Sequence, residues 1–339
     1  MAKRNQTLDS LKGFTIILVM LGHCIILNGM QDRIIYGAIK AIQMPLFMMI
    51  SGYIIGMTGE IDSFMEFMQK LKKRVVSYVI PFFAWIVILH ARRLSEEFLH
   101  TLFQLDRGLW FLMTLFLLST IMYLAVLMRN CTPLHELGFL LVWVLSFVGL
   151  FVQIRYGNTF LSPHLTIYYM PFYLCGYLLH KMYEILIKKE DKNIVTYIFF
   201  DLKVQIILGL FVFILFVLLL FKFDMVVANN KWQLSCQMMA SIFGCYLSYL
   251  LIRIIQSDKI REGLAFVGKY TLEIYVFHYH FATILGIQEM KLTLYSLEGA
   301  GYLLLTFLIM CPLTAASIWL CKRFQISDFL LFGKIKVIL

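Results

Sequence analysis

Ten apolar runs, each close to 20 residues long, follow one another along this chain of 339 residues. A helix needs about 20 apolar residues to cross the hydrocarbon core of a bilayer, so each run predicts one membrane span. Only 15% of the residues are charged, against roughly 25% in soluble domains. The predicted spans lie at about 11–30, 38–57, 75–91, 109–128, 134–154, 165–183, 202–221, 234–255, 264–286 and 298–320.

The runs predict an all-α fold, a polytopic integral membrane helical bundle of about ten transmembrane helices. Helices are favoured because every backbone polar group in lipid must be bonded within the protein. No interval between runs is long enough to bury a core of its own, so we expect a single membrane domain over 1–339. The first run carries a histidine at depth and lacks a small-residue cleavage pattern, which favours a span over a cleavable signal peptide.

The distribution of basic residues predicts the orientation. With a cytoplasmic N-terminus, 21 Lys and Arg residues lie in cytoplasmic segments and 9 on the other side, so both termini are predicted to be cytoplasmic. The net charge of +10 resides in short segments between apolar runs. It therefore indicates topology and contact with membrane lipids, and it does not indicate nucleic-acid binding.

Lys12 and His23 lie in the first apolar run. A charged residue inside a span costs about 2.5 to 3.5 kcal/mol and is read as functional by default. Eleven positions are almost three helical turns, so both residues lie on one stripe about 16 Å apart. His23 is a candidate general base and Lys12 a candidate contact for a phosphorylated donor. Two alternatives stay open: His23 hydrogen-bonds between helices, and Lys12 snorkels to the membrane edge beside Asp9.

Two further segments carry unusual residues for a membrane protein. In the second run, Pro45 and Gly52 predict a kinked helix that lines an internal space, or a packing kink in which Ser51 and Gly52 make a close helix contact. Before the third run, a basic cluster predicts either anchoring on anionic lipid or a cradle for phosphate groups. The cluster consists of Lys70, Lys72, Lys73 and Arg74.

Trp110 and Glu273 are the remaining candidates. Trp110 opens the fourth run, where an interfacial aromatic is also expected. Glu273 lies in the ninth run and needs a partner at that depth, and orienting His23 is one use for it. His278 and His280 are two positions apart and point to opposite sides of a helix, so we expect no metal site. The 7 cysteines include no Cys-x-x-Cys pair and predict no disulfide framework.

The order of these motifs resembles the transmembrane acyltransferase-3 family, the membrane O-acyltransferases that decorate bacterial surface glycans. The segments that carry the resemblance are Lys12 to His23, Met44 to Tyr53, Leu109 to Leu112, Gly268 to His278 and, more weakly, Pro171 to Tyr177.

The resemblance implies a reaction and a location. Acyl-CoA is offered from the cytoplasm, and an acceptor on the far side of the membrane is acylated. The donor is expected to be acetyl-CoA, the acceptor a glycan or another sugar-containing molecule, and no metal is required. The location is expected to be the bacterial cytoplasmic (inner) membrane, with multiple passes.

The resemblance also implies roles for residues of this chain. The catalytic set is His23 as base, with Lys12 and Glu273. Donor binding is expected from Lys12, Lys72, Lys73, Arg74 and Ser51, and acceptor binding from Trp110, Gln43 and Tyr53.

Two positions depart from the family pattern. Gln43 stands where the family often has His, so His23 carries the role of base alone. Ser77 stands where a second Arg often follows Arg74, and Lys72 and Lys73 are the substitutes nearby.

Two other classes of protein compete with this interpretation. A transporter or flippase of a lipid-linked glycan also has many spans and intramembrane charges, although transporters often show paired repeats. A glycan polymerase would show large outer loops rich in Arg, whereas the outer segments here are short. Within the acyltransferase reading, direct transfer and a relay through an acetylated His23 both stay open.

Overall fold

The computed structural model describes residues 5–91, 93–105, 109–188 and 200–334, and all regular structure within them is helical. The α-helices in chain order are α1 (Gln6–Leu27), α2 (Ile35–Met57), α3 (Phe64–Arg74), α4 (Ile80–Leu89), α5 (Leu94–Phe103), α6 (Trp110–Cys131), α7 (Glu136–Arg155), α8 (Pro163–Lys188), α9 (Leu202–Lys222), α10 (Lys231–Ile254), α11 (Asp258–Gly268), α12 (Thr271–Phe281), α13 (Leu297–Cys321) and α14 (Gln325–Phe332). A π-helical turn, Val75–Val79, joins α3 to α4.

Seven of the described helices are long and apolar enough to cross a membrane: α1, α2, α6, α7, α9, α10 and α13. Each coincides with one of the ten apolar runs. The all-α membrane bundle predicted from the sequence is therefore confirmed. The count of ten spans and the cytoplasmic placement of both termini stay predictions, and residues 1–4 and 335–339 lie outside the described residues.

The other three runs take different forms. The run at 75–91 begins as the π-helical turn and continues as the short helix α4. The run at 165–183 lies within α8, which is continuous over 26 residues but does not reach the same apolarity. The prediction of one continuous helix over 264–286 is wrong, because α11 ends at Gly268 and α12 begins at Thr271. Tight turns close this break, with the N–H of Tyr270 donating to the carbonyl of Val267 at 3.0 Å.

Packing divides the chain into two compact units. The first comprises Met1–Ile50 and Met182–Trp319, and the second comprises Ser51–Lys181 and Leu320–Leu339. The single domain over 1–339 stays a prediction.

In the first unit, α1 and α11 approach each other until their backbones touch. A Cβ atom on Gly13 would overlap the carbonyl oxygen of Leu264, and one on Gly268 would overlap the carbonyl oxygen of Asp9. Small residues allow such close approach between membrane helices. The hydroxyl of Ser10 donates to the carbonyl of Arg261 at 2.9 Å across the same contact. These glycines of the two motifs therefore serve helix packing.

Two of the buried clusters in the core of the first unit join helices that lie far apart in the sequence. One joins α1 to α13 through Met20, Cys24, Ala282 and Met310. The other joins α2, α9 and α10 through Ala41, Phe216, Leu220, Met225 and Ala240. The first cluster brackets the stretch of α1 that carries His23.

In the second unit, α2 and α8 touch at Gly52, where a Cβ atom would overlap the carbonyl oxygen of Tyr173. A close helix contact at Gly52 was one of the two interpretations that the sequence left open for the second run. α2 runs through Pro45 as one helix. On another side of this unit, α14 packs on α4, and the indole N–H of Trp85 donates to the carbonyl of Leu331 at 3.3 Å. Gly333 ends α14 with φ of +61°, a conformation that favours glycine.

Candidate active site

His23 of α1 pairs with His278 of α12. The Nδ1 atom of His23 lies 2.7 Å from the Nε2 atom of His278. The two rings are stacked, with centroids 4.9 Å apart and planes inclined by 26°. Tyr279 presents its ring edge-on to His23 at 5.4 Å. His23 is partly exposed, whereas His278 is completely buried.

A buried amide holds α1 against the end of α12 below this pair. Asn28 donates both amide hydrogens, one to the carbonyl of Cys24 and one to the carbonyl of Ala282, each at 2.8 Å. Because the first carbonyl belongs to α1 and the second follows α12, one side chain ties the two elements together. The position of His23 relative to His278 is thus supported by a second polar contact.

His278 was named from the sequence as the end of a motif and in the argument against a metal site, but its contact with His23 was not predicted. His278 makes the contact with Nδ1 of His23, whereas the sequence suggested Glu273 as the residue that orients His23. Glu273 lies in the first turn of α12, where it is 1% exposed, and its catalytic role stays a prediction. The signal that could have found His278 was the same as for His23: an imidazole within an apolar run, at the end of a motif.

Gln43 of α2 packs against α1 one residue before His23. A Cβ atom on Gly22 would lie 2.8 Å from the Oε1 atom of Gln43, so the glycine makes room for this amide. Among the described residues, no hydrogen-bond donor reaches that buried Oε1 atom. The role of Gln43 in acceptor binding stays a prediction, and its place beside His23 is compatible with it.

Lys12 pairs with Asp9 on the same helix face. Its Nζ atom lies 3.4 Å from the Oδ1 atom of Asp9, which is 4% exposed. The predicted pairing with Asp9 is therefore confirmed. A contact with the donor stays a prediction for Lys12.

Arg74 ends α3 in the second unit and turns inward between two phenols. Its Nε atom donates to the hydroxyl of Tyr123 at 2.9 Å, and its Nη1 atom donates to the hydroxyl of Tyr78 at 2.8 Å. The guanidinium also lies 5.5 Å and 5.8 Å from the centres of the two rings. Within the described part of the chain, no carboxylate pairs with Arg74. It is therefore a permanent positive charge held by neutral groups.

The side chains of the basic cluster do not form one common surface. Lys72 and Lys73 are exposed on α3. Lys70 donates to the carbonyls of Thr58, Gly59 and Glu60, at 3.2, 2.9 and 3.0 Å, and so closes the loop after α2. Donor binding by Lys72, Lys73 and Arg74 stays a prediction. Lys72 and Lys73 are exposed, whereas Arg74 lies between two phenols.

A charged cluster around Glu60 was not foreseen from the sequence. Its carboxylate accepts hydrogen bonds from Arg129, Lys181 and Asn130. Burial favours the neutral acid, but the hydrogen bonds from Lys181 and Asn130 and the charge of Arg129 lower the pKa of Glu60 to about 2. Its basic partners lie on α6 and α8, so Glu60 ties the loop after α2 to both helices.

The other predicted binding residues lie in the second unit as well. Trp110 opens α6 and stacks on Tyr169 with ring centroids 5.4 Å apart. Tyr53 meets His180 edge-on at 4.9 Å. Ser51 lies on α2 beside the contact at Gly52. The donor role of Ser51 and the acceptor roles of Trp110 and Tyr53 stay predictions.

A family model described as an acyltransferase domain matches residues 5–322, which is nearly the whole chain. The chain belongs to this acyltransferase family. The match runs through both units and through every segment that carried the sequence resemblance.

One curated relative of this chain is the nodulation protein NolL of Sinorhizobium fredii. The two are 34% identical over 101 residues, which are 28% of this chain and 27% of NolL. The chain thus matches about a quarter of the length of that relative. No solved structure matches the chain.

The chain is a membrane protein by its apolar helices, and its family implies an acyl donor and an acceptor. Among the residues that the structure describes, no three His, Cys, Asp or Glu side chains gather as metal ligands would.

Proposed function

We propose that this acyltransferase moves an acetyl group from cytoplasmic acetyl-CoA to a hydroxyl of a cell-surface or lipid-linked glycan, as a multi-pass enzyme of the bacterial cytoplasmic membrane. The observation that carries the proposal is the partly exposed imidazole of His23, placed inside an apolar helix of a chain from the acyltransferase family. An ionisable side chain at such a depth is costly, and it is therefore read as functional by default.

His23 acts as the general base in this proposal. As the acceptor oxygen attacks the thioester carbonyl, its proton passes to His23, a C–O bond forms and the C–S bond breaks. The leaving thiolate then takes the proton, so that the ester and free CoA are the products and His23 is restored. A positioned base of this kind contributes about 10² to 10⁴ in rate. The relay version forms an acetyl-imidazole on His23 first and passes the acetyl group to the hydroxyl second.

The donor-binding part of the proposal rests on charge. CoA carries a pyrophosphate and a further phosphate, and Arg and Lys are the usual partners of phosphoryl oxygens. Arg74 supports this role because, among the described residues, its partners are phenols and not carboxylates. We assign Lys12, Lys72, Lys73 and Ser51 to the same donor.

The acceptor-binding part rests on the chemistry of sugars. Aromatic faces such as those of Trp110 and Tyr53 pack against the apolar C–H faces of sugar rings. The amide of Gln43, beside His23, offers hydrogen bonds to hydroxyl groups. We assign these three residues to the glycan.

The first test is donor binding by the purified full chain in detergent. Thermal unfolding is followed while acetyl-CoA is titrated into wild type, Lys12→Ala, His23→Ala and the control Lys203→Ala. A ligand that binds only the folded state at 100 times its Kd adds about 2.7 kcal/mol of stability. We expect a saturable rise in the unfolding midpoint for wild type, His23→Ala and Lys203→Ala, and a smaller rise for Lys12→Ala.

Lys203 is the matched control because it is exposed at the start of α9 and loses the same charge on the predicted cytoplasmic side. No shift at millimolar acetyl-CoA in a folded sample would refute the proposed donor and favour glycan transport, which has no use for it.

The second test is chemistry. Membranes that contain the enzyme are incubated with acetyl-labelled acetyl-CoA, and label is measured in the glycan and lipid fractions. Wild type should transfer label, and His23→Ala should bind the donor but transfer none above background. Equal transfer by His23→Ala would exclude both the base and the relay roles of this residue.

A further inference from the structure

The hydrogen bonds around His278 determine where its proton lies. Its Nδ1 atom lies 2.8 Å from the carbonyl oxygen of Ile274, one turn earlier on α12. A carbonyl oxygen only accepts, so Nδ1 of His278 must carry a hydrogen and donate it. A neutral His278 then has a lone pair, and no hydrogen, on its Nε2 atom.

The contact between the two imidazoles then determines the tautomer of His23. The 2.7 Å separation between Nδ1 of His23 and Nε2 of His278 requires one hydrogen between them. Since Nε2 of His278 has none to give, Nδ1 of His23 must be the donor. The lone pair of His23 is therefore on Nε2, the nitrogen that points away from His278.

The reverse arrangement would require a charged His278. A cationic His278 could donate from Nε2 to His23, but this ring is completely buried and, among the described residues, has no carboxylate against it. Burying an unpaired charge is strongly unfavourable. The neutral arrangement is the one consistent with this site.

We propose that His278 is a positioning residue that holds His23 in the tautomer with hydrogen on Nδ1 and so leaves its Nε2 atom ready to accept a proton. The catalytic part of this inference rests on the proposed function, whereas the tautomer itself does not. A base whose second nitrogen is held by an orienting partner is a general arrangement in nucleophilic catalysis. Here the partner is a neutral imidazole in place of the usual carboxylate.

The same geometry supports the charged state of His23 during the reaction. When Nε2 takes the hydroxyl proton, Nδ1 of His23 still donates to Nε2 of His278. The hydrogen bond becomes charge-assisted, which stabilises the imidazolium while both rings keep their positions. The stacking of the two rings and the two hydrogen bonds donated by Asn28 hold that geometry in place.

The tautomer is measured directly by ¹⁵N magnetic resonance on the full chain labelled at histidine in lipid bilayers. Protonated and unprotonated ring nitrogens give well-separated signals, and His23→Gln identifies the signals of His23 among the 8 histidines. We expect Nδ1 of His23 to be protonated and Nε2 to be unprotonated at neutral pH. A wild-type His23 with its proton on Nε2 would overturn the proposal, and this result needs no catalysis.

Two variants separate the hydrogen bond from the bulk of the ring. His278→Gln places an amide oxygen near the position of Nε2 and can still accept from His23. His278→Leu fills space but accepts nothing. We expect the tautomer to persist in the first variant and to become mixed in the second, and the second to lower the rate of acetyl transfer by about 10² without changing the acetyl-CoA dependence.

His280→Gln is the matched control, because this histidine is exposed two positions further along the same chain segment. It should keep both the wild-type tautomer and the wild-type rate. Equal rates in His278→Gln and His278→Leu, with the His23 tautomer unchanged in both, would overturn the positioning role. An enzyme with the expected tautomer but no acetyl transfer would refute the proposed function and leave the tautomer assignment standing.

Discussion

Replacing Gly268 with alanine tests whether the close contact between α1 and α11 holds the first unit together. A Cβ atom there overlaps the carbonyl oxygen of Asp9 and lies 2.8 Å from its carbonyl carbon and 3.0 Å from the backbone nitrogen of Gly13. All three atoms belong to backbone, so no side-chain rotation relieves the clash. The two helices must move apart by something on the order of 1 Å.

The magnitude follows from the kind of strain. Extra methyl groups in well-packed regions cost about 1 to 3 kcal/mol. The separation also loosens the reciprocal contact of Gly13 with Leu264 and lengthens the hydrogen bond from Ser10 to Arg261. Gly268 is the last residue of α11, so alanine gains little helix propensity in return. We expect a net destabilisation of about 1 to 3 kcal/mol.

The control lies on the same helix. Gly263 is inside α11, and a Cβ atom there meets nothing within 4 Å. Gly263→Ala should therefore stabilise by up to about 0.5 to 1 kcal/mol, through helix propensity alone. Thermal unfolding of both variants in one detergent, followed by circular dichroism, should give shifts of opposite sign.

A Gly268→Ala protein as stable as wild type would refute this prediction, because the backbone contact between α1 and α11 would then contribute nothing to the free energy of unfolding. Shifts of equal sign and size in both variants would refute it too, since helix propensity alone would explain them.

Three further predictions concern other parts of the chain. The pKa of Glu60 is about 2 in the folded chain and about 4.3 in an unfolded one, so its ionised form stabilises the fold fully above the higher value and loses this effect as the pH falls through the lower one. Glu60→Gln should therefore unfold at a lower temperature than wild type at neutral pH and approach it in acid, and a gap independent of pH would contradict this. Asn28→Leu leaves the carbonyls of Cys24 and Ala282 without their donor and should cost about 1 to 3 kcal/mol in thermal unfolding, so an unchanged midpoint would show that those bonds add nothing. Arg74→Lys keeps the charge but loses the fork between two phenols, so acetyl-CoA should shift its unfolding midpoint less than that of wild type, and an equal shift would remove Arg74 from the donor site.

Seven of the ten predicted spans coincide with long apolar helices among the described residues, because apolarity is a local property of each segment. The break between α11 and α12 was not predicted, since apolar residues lie on both sides of the short polar stretch at Lys269 and Tyr270 and the whole was read as one span. The helix ends where Gly268 meets the backbone of α1, and that meeting depends on a residue about 260 positions earlier. A local pattern carries no information on it.

In the candidate site, too, local patterns were predicted and contacts between distant residues were not. His23 and Lys12 were found because their side chains are unusual within an apolar run. Arg74 was named from the sequence as part of a basic cluster. Its position between two phenols was not predicted, because Tyr123 comes from a different helix. Gln43 was named because it stands where the family often has His. Its contact with Gly22 depends on the packing of α2 on α1 and could not be predicted from the sequence.

The sequence by itself determined that this chain is an all-α membrane protein of the acyltransferase family with an imidazole inside its first span. Lipid imposes this outcome, because a bilayer accepts only segments that are apolar and satisfy their own backbone hydrogen bonds. The tertiary structure alone decided which side chains meet. His278 lies 255 positions from His23, and only the packing of α12 on α1 brings the two rings to 2.7 Å. Hydrogen bonds act over that short range, so the partner of the proposed base depends on how the helices pack.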